Sequence, residues 1–319
     1  MTSGDRPTFR NSLDDCSPGV RIATIGMFDG VHLGHQYLLN ATVVRAQDLN
    51  LPSVVITFEP PPALVLRPEL FSGRICSSSE KLKRLAMSGI DEIVTAPFDL
   101  QLAALTPEAF MRQVVDRLSP REIWVGEAFA LGKNRSGDVN RLREIGETLG
   151  YELHSVERVS RDDKIVSSSL IRAAVLAGRV DAAHELLGRP FRISGEVIHG
   201  AHLGRQIGFP TANVVPPPEL VPLIDGIYVS LGTLPGEVEP RPAMTYIGTR
   251  PIVNPGDRLI ETHFLDFEQD LYGKVIDVDF LARIRADQTF EGLEPLIAQL
   301  KADEETTRSV LTGLGIAAA

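Results

Sequence analysis

The spacing of apolar residues changes once along this 319-residue chain, close to Arg189, and that change limits the folds open to it. Ahead of Arg189, short apolar runs alternate with stretches whose apolar residues recur at helical spacing. The runs VRIATIGMF (Val20–Phe28), SVVITF (Ser53–Phe58), DEIVTAPF (Asp91–Phe98), EIWVG (Glu122–Gly126) and Glu152–Val156 read as strands. His35–Leu49, Ser77–Gly89, Thr106–Leu118 and Asp138–Leu149 read as helices, with Pro107 at the first position of the third and Gly89 stopping the second. Such alternation predicts an α/β domain, a parallel sheet with helices on both faces, whose ligand sits beyond the carboxyl ends of the strands. Beyond Arg189 come FRISGEVIHG, GIYVSLGTL, PAMTYIGT, LIETHFLDF and KVIDVDFLARI, short alternating runs separated by Gly and Pro. They predict an antiparallel β-barrel or sandwich, closed by one terminal helix. The expected division is a flexible tail over 1–18, an α/β domain over 19–187 and a β domain over 188–319.

The formal net charge of -10 argues against a protein that coats nucleic acid or an anionic membrane. It leaves small phosphates open as ligands, because those are held by local donors, a few cations and a metal ion. No apolar run is long enough to cross a bilayer, and the polar start lacks the order of a signal peptide, so a cytoplasmic protein is expected. The two cysteines, Cys16 and Cys76, show no metal-ligand spacing and read as reduced thiols. A homo-oligomer is left open.

Two constellations carry chemistry. The first, GMFDGVHLGHQ (Gly26–Gln36), follows the first strand. Gly30 and Gly34 let the backbone turn tightly and approach a ligand. His32 and His35 are three apart at a helix start, where free N–H groups and a partial positive charge suit a triphosphate. VSSSLIR (Val166–Arg172) opens another helix with Ser167, Ser168 and Ser169 and a guanidinium close behind, parts that suit a β,γ-phosphate cradle. The second constellation is HGAHLGRQIGFPTAN (His199–Asn213). Gly200 and Gly204 flank a loop with His202 and Arg205, Gly208-Phe209-Pro210 makes a rigid turn, and Thr211 and Asn213 face one side of an extended segment. A hydroxyl and an amide oxygen are hard ligands that suit Mg²⁺ with bound phosphate.

GMFDGVHLGH and SSSLIR resemble the two motifs of the adenylyltransferase domain in bacterial bifunctional riboflavin kinase/FAD synthetase, and GRQIGFPTANV resembles the riboflavin kinase motif of that family. DGIYV (Asp225–Val229), YIGTRP (Tyr246–Pro251) and ETHFLDFEQDLYGK (Glu261–Lys274) extend the resemblance over nearly the whole chain. It implies a Rossmann-like nucleotidyltransferase domain followed by an antiparallel β-barrel riboflavin kinase domain with a terminal helix. ATP would be co-substrate with Mg²⁺, and riboflavin and FMN the other substrates. It implies that His32 and His35 meet the ATP phosphates and that Ser167, Ser168, Ser169 and Arg172 bind the departing pyrophosphate. Gly26, Phe28, Asp29, Gly30, Gly34, Gly126 and Arg135 would complete that nucleotide site. In the kinase half it implies that Gly200, Gly204, Arg205, Gly208, Phe209, Pro210, Thr211 and Asn213 hold Mg-ATP. Thr211 and Asn213 would be the metal ligands and Glu261 the catalytic base.

The chain departs from the family where TFxPHP is usual and TFEPPP stands, which puts Pro61 at a His position. It departs again where VGxNFRFG or VGxDFRFG is usual and VGEAFALG stands. There Ala128 replaces Asn or Asp, Ala130 replaces Arg and Leu131 replaces Phe, while Ile252 replaces a common Thr further on. The first reading is a bifunctional enzyme making FMN and then FAD. The alternatives are a kinase whose N-terminal domain is inactive or uses another nucleotide or flavin, and a non-catalytic flavin-binding regulator.

Overall fold

The computed structural model describes residues 7–200, 203–249 and 258–317. Positions 202 and 252, and the first six residues of the expected tail, lie outside the described residues. The chain divides into two compact units. One takes in the described residues up to Ser72 together with Ser78–Ser167; the other takes in Gly73–Ser77 and the described residues from Ser168 on.

The first unit is built on a parallel sheet. Its strands are β1 (Thr8–Arg10), β2 (Arg21–Ile25), β3 (Ser53–Glu59), β4 (Glu92–Pro97) and β5 (Pro120–Gly126). After the short hairpin β6 (Ala130–Leu131) and β7 (Gly137–Asp138) comes β8 (Glu152–Val156), and a second hairpin, β9 (Ser160–Arg161) with β10 (Lys164–Ile165), ends the unit. Helices α1 (Leu33–Asp48), α2 (Pro62–Leu66), α3 (Ser78–Ala86), α4 (Leu100–Ala103), α5 (Pro107–Leu118) and α6 (Val139–Leu149) lie between the strands. The sheet order is β1-β4-β3-β2-β5-β8. Alternation along β3 sends Val54 and Ile56 into a core shared with α5 and α6, and Val55 into a core shared with α1 and α3. Burial on both faces is what a parallel sheet requires, and it explains the unbroken apolar text of β3. The strand order reverses between β2 and β5, so the crevice for a ligand opens past Ile25 and Val125.

The expected tail over 1–18 needs correction where the structure describes it. Thr8–Arg10 adds β1 to the sheet edge beside β4, and Leu13 and Cys16 are buried in the core. Glu92 anchors the segment, accepting from Arg10 Nε at 3.0 Å and Arg21 Nε at 2.9 Å. A three-residue strand with two exposed side chains has no period to read.

In the second unit, α7 (Ser168–Leu176) and α8 (Val180–Leu187) precede a closed antiparallel barrel. The barrel strands are β11 (Phe191–Ile198), β12 (Ala212–Val215), β13 (Gly226–Thr233), β14 (Arg241–Thr249), β15 (Arg258–Phe264) and β16 (Val275–Arg285). Their order around the barrel is β11-β12-β15-β14-β13-β16. Closure removes free edges. The one-turn helix α9 (Leu203–Gln206) lies between β11 and β12, and α10 (Leu293–Gly313) ends the unit. Inside the barrel the hydroxyls of Ser230, Thr245 and Thr262 satisfy one another, at 2.7 and 3.1 Å. The compact units part at 167/168, whereas the change of apolar period pointed to 187/188, because α7 and α8 look like any α/β helices until their packing is known.

Candidate active sites

In the first unit, β2 delivers the chain to Gly26 at the switch point. Phe28 then takes a left-handed conformation (φ 50°) with its ring fully buried, and Gly30 (φ 76°) completes a 3₁₀ turn over Asp29–Val31. This kink aims the chain back so that His32 caps α1, its Nδ1 accepting the His35 N–H at 3.3 Å. The His32 and His35 rings stack at 3.6 Å and 17°, and Phe28 packs on His35 at 5.2 Å. His32 is buried. Part of His35 stays exposed, but its Nδ1 is covered and has no hydrogen-bond partner among the described residues. Burial, reinforced by the neighbouring His32, pushes the His35 pKa well below the ordinary histidine value, so it is neutral at pH 7. A Cβ at Gly34 would stand 3.3 Å from the His32 ring and 3.9 Å from the Val166 carbonyl. Glycine thus leaves room for the His32 ring over the first turn of α1, with the Val166 carbonyl at ordinary contact distance.

Gly126 ends β5, next to β2, and a Cβ there would meet only open space. A cavity of about 900 Å³ opens beside it, with Gly26 and Arg135 both in its wall. Phe58, Phe98, Phe110 and Phe129 give it an aromatic lining, and Arg67 and Lys133 add cations. Two of the departures from the family, Ala130 and Leu131, lie in this wall, Pro61 is buried, and Ala128 is exposed. The carbonyl of Ala128 accepts from Arg135 Nη2 at 3.4 Å. Gly26, Gly126 and Arg135 are legible in the sequence, but the phenylalanines, which converge from β3, α5 and two loops, have no local signature. Ser168, Ser169 and Arg172 belong to the second unit, in the first turns of α7, where Arg172 Nε donates to the Gly73 carbonyl at 2.7 Å.

In the second unit, β12 and β15 pair so that Asn213 stands opposite Glu261. Thr211 Oγ1 lies 3.4 Å from Glu261 Oε2, and the carboxylate is buried. Gly200 packs directly on the Asn213 carboxamide and Gly204 on the Phe209 carbonyl, with no room at either for a Cβ. Gly208 (φ 86°) makes the turn before Pro210, whose carbonyl lies 2.8 Å from His263 Nδ1. The close glycines therefore lock Thr211 and Asn213 beside the carboxylate. Thr211 lines two cavities. One, of about 420 Å³, also holds Arg205, Gly208, Pro210 and Gln269; the other, of about 210 Å³, holds Glu261 and Gly204 among Ile207, Phe209, Phe290, Leu296 and Leu300. A larger space of mixed lining and a smaller, more apolar one meet at a hydroxyl beside a carboxylate, a layout that suits passing a phosphoryl group to an alcohol. The oxygens of Thr211, Asn213 and Glu261 form a hard donor set that fits Mg²⁺ held mainly by phosphate. Tyr246, Phe290, Leu296 and Leu300 were not foreseen as site residues, because they read as ordinary barrel and helix positions.

Residues 16–170 match the family model of FAD synthetase, and residues 187–311 match that of riboflavin kinase. The chain is 38% identical to the bifunctional riboflavin kinase/FMN adenylyltransferase of Escherichia coli over 288 residues, 90% of this chain and 91% of the relative. It is 38% identical to the protein of the same name from Pseudomonas fluorescens, over 91% of this chain and 92% of that one. A crystal structure from Streptococcus pneumoniae, described as a macrolide-efflux protein, superposes with a TM-score of 0.85 and 31% identity over 95% of this chain and 99% of that one. Among the described residues of this chain no helix is long and apolar enough to cross a membrane.

Proposed function

The chain belongs to the bifunctional riboflavin kinase/FMN adenylyltransferase family, and from that premise we propose how its residues divide the work. It is an enzyme of FMN and FAD biosynthesis, with a riboflavin kinase domain and an FAD synthetase domain that use ATP. Functionally we assign 19–187 to adenylyl transfer and 188–319 to the kinase.

In the kinase half, the terminal ribityl hydroxyl of riboflavin enters from the smaller, more apolar cavity and the ATP phosphates from the larger one that holds Arg205 and Gln269. Glu261 takes the hydroxyl proton as the oxygen attacks the γ-phosphorus, and ADP leaves. Thr211 and Asn213 hold Mg²⁺, which offsets charge on the phosphates. Gly200, Gly204, Arg205, Gly208, Phe209 and Pro210 shape the loop around them. The observation that carries this reading is the Asn213–Glu261 pair with Thr211 at the meeting of two cavities.

In the transferase half, a phosphate oxygen of FMN attacks the α-phosphorus of ATP and pyrophosphate leaves, giving FAD without a covalent enzyme intermediate. His32, His35 and the N–H groups opening α1 meet the phosphates. Gly26, Phe28, Asp29, Gly30, Gly34 and Gly126 hold the turn and the nucleotide, and Arg135 supplies a cation. Ser167, Ser168, Ser169 and Arg172 receive pyrophosphate. The aromatic cavity suits the isoalloxazine ring. The use of ATP as co-substrate supports a cytoplasmic location.

The test incubates the protein with riboflavin, Mg²⁺ and ATP, then with other nucleoside triphosphates, and separates the flavins. FMN followed by FAD is expected. FMN alone would mark an inert transferase half, a dinucleotide made only from another base would mark changed specificity, and no product would leave a flavin-binding protein. Glu261→Ala should stop FMN formation and leave conversion of supplied FMN; surviving FMN formation would refute the role given to Glu261.

A further inference from the structure

One buried charge in the barrel unit has no part in the chemistry above. Asp303 lies inside α10 and is 2% exposed. A carboxylate in such a place is costly unless it is paired and fully hydrogen-bonded. Arg285, the last residue of β16, meets it with the Nε–Nη2 edge of its guanidinium, Nε at 2.9 Å from Oδ1 and Nη2 at 2.7 Å from Oδ2. Gln299 Nε2 donates to Oδ1 at 2.9 Å, and Thr307 Oγ1 donates to the Asp303 carbonyl at 2.8 Å. The fork–fork geometry fixes direction as well as distance.

The pair joins two walls of the apolar cavity. Leu296, Leu300, Asp303 and Thr307 recur at helical spacing and so form one stripe of α10, and Leu296 and Leu300 line the cavity. Arg285 lines it too, and its guanidinium carbon stands 5.8 Å from the centre of the Phe290 ring, another lining residue. A rotation or slide of α10 that withdrew the leucines would break the Asp303 fork. A bidentate ion pair sets direction as well as distance, so it ties the rotation of α10 to the end of β16 more sharply than the leucine contacts do by themselves.

We propose that Asp303 is a positioning residue for flavin binding. Through Arg285 it holds α10 at the one rotation that presents Leu296 and Leu300 as a wall for the flat ring of riboflavin. The proposal rests on the reading of this cavity as the flavin site of the kinase half.

The experiment uses the full chain and two readouts, riboflavin affinity from quenching of its fluorescence without ATP, and kinase kinetics. Asp303→Asn keeps the shape but loses the charge and one acceptor. Its riboflavin Kd and KM should rise about ten-fold, with kcat and the KM for ATP within about two-fold and conversion of supplied FMN unchanged. Arg285→Lys keeps the charge and loses the fork; it should raise the riboflavin Kd as well. The two changes combined should cost little more than either alone, as expected of one shared contact. Leu300→Trp fills the cavity and tests the underlying reading separately. If it leaves riboflavin binding intact, the cavity is not the flavin site. If it blocks binding while Asp303→Asn and Arg285→Lys leave the riboflavin Kd unchanged, the positioning role is wrong. Equal loss of riboflavin affinity, ATP affinity and kcat would also overturn it, since that reports a generally damaged barrel. Should Asp303→Asn fail to fold by circular dichroism, Arg285→Lys decides by the same criterion.

Discussion

At the scale of single residues, the histidine pair shows what spacing can and cannot convey. Two histidines three apart after a strand are legible as partners on one side of a helix start. That His32 caps α1 through Nδ1, and that the two rings stack, depends on the left-handed turn at Phe28, which nothing in the local text announces. The stack has a titration consequence. His35 is held neutral by burial first and by His32 second, so its folded pKa lies below the ordinary value of about 6.5. Above that value neither folded nor unfolded chain binds the proton. As the pH falls below it, the unfolded chain takes up a proton that the folded chain refuses, and stability drops until the depressed folded value is reached. Thermal melts between pH 7.5 and 5 should therefore show a falling Tm, with a smaller fall in His35→Asn. Phosphate binding reverses the bias, because an anion beside the ring favours imidazolium. Calorimetry of ATP binding at pH 7 in buffers of different ionisation enthalpy should report net proton uptake, and its absence in His35→Asn would assign the proton to this ring.

At the scale of elements, strands and helices with a clear period were legible to within about three residues at each end, and the failures have a physical pattern. β3 and α5 were visible because burial on both sheet faces and a Thr106–Pro107 start leave strong marks. β1 left none, since its place depends on backbone pairing and on an ion pair to Glu92 of β4 rather than on apolar side chains of its own. Glu92→Gln should lower Tm by a few degrees. Most of that loss should come through Arg21, because Arg10 is more than a third exposed and its pair is screened by water. The loop after β5 carries a more consequential test. Its departures were plain in the text, but only the structure places Ala130 and Leu131 in the wall of the aromatic cavity. At 130 the family usually has an arginine where this chain offers a methyl group, and a missing substrate hydrogen bond costs about 1–3 kcal/mol. Ala130→Arg should accordingly lower the KM for FMN about ten-fold in the transferase assay and leave riboflavin phosphorylation unaltered. A variant with unchanged KM would show that residue 130 does not touch the flavin phosphate or ring.

At the scale of the whole molecule, the two half-reactions draw on different residues: the kinase assignment uses positions from Gly200 to Glu261, the transferase assignment positions from Gly26 to Arg172. What joins them is chemical, since the product of the first is a substrate of the second. The change of apolar period made the pairing of an α/β half with a barrel half legible, while the attachment of α7 and α8 to the barrel unit was not, because helix packing partners are a property of contacts rather than of period. Separate machinery allows each half to be silenced alone. Glu261→Ala should keep adenylyl transfer, and His35→Ala should keep riboflavin phosphorylation. Neither variant alone should convert riboflavin to FAD. Mixed together with riboflavin and Mg-ATP, they should do so after a lag, because FMN made by one molecule must leave it, accumulate and enter another. The lag should shorten as the His35→Ala protein is increased, since that protein supplies the intermediate. Adding FMN-binding apoprotein as a trap should suppress FAD from the mixture. The same trap on the parent enzyme then measures how much FMN normally passes through solvent. If the mixture made no FAD although each variant passed its own half-assay, FMN would have to be passed on without release, and the two activities would not be independent.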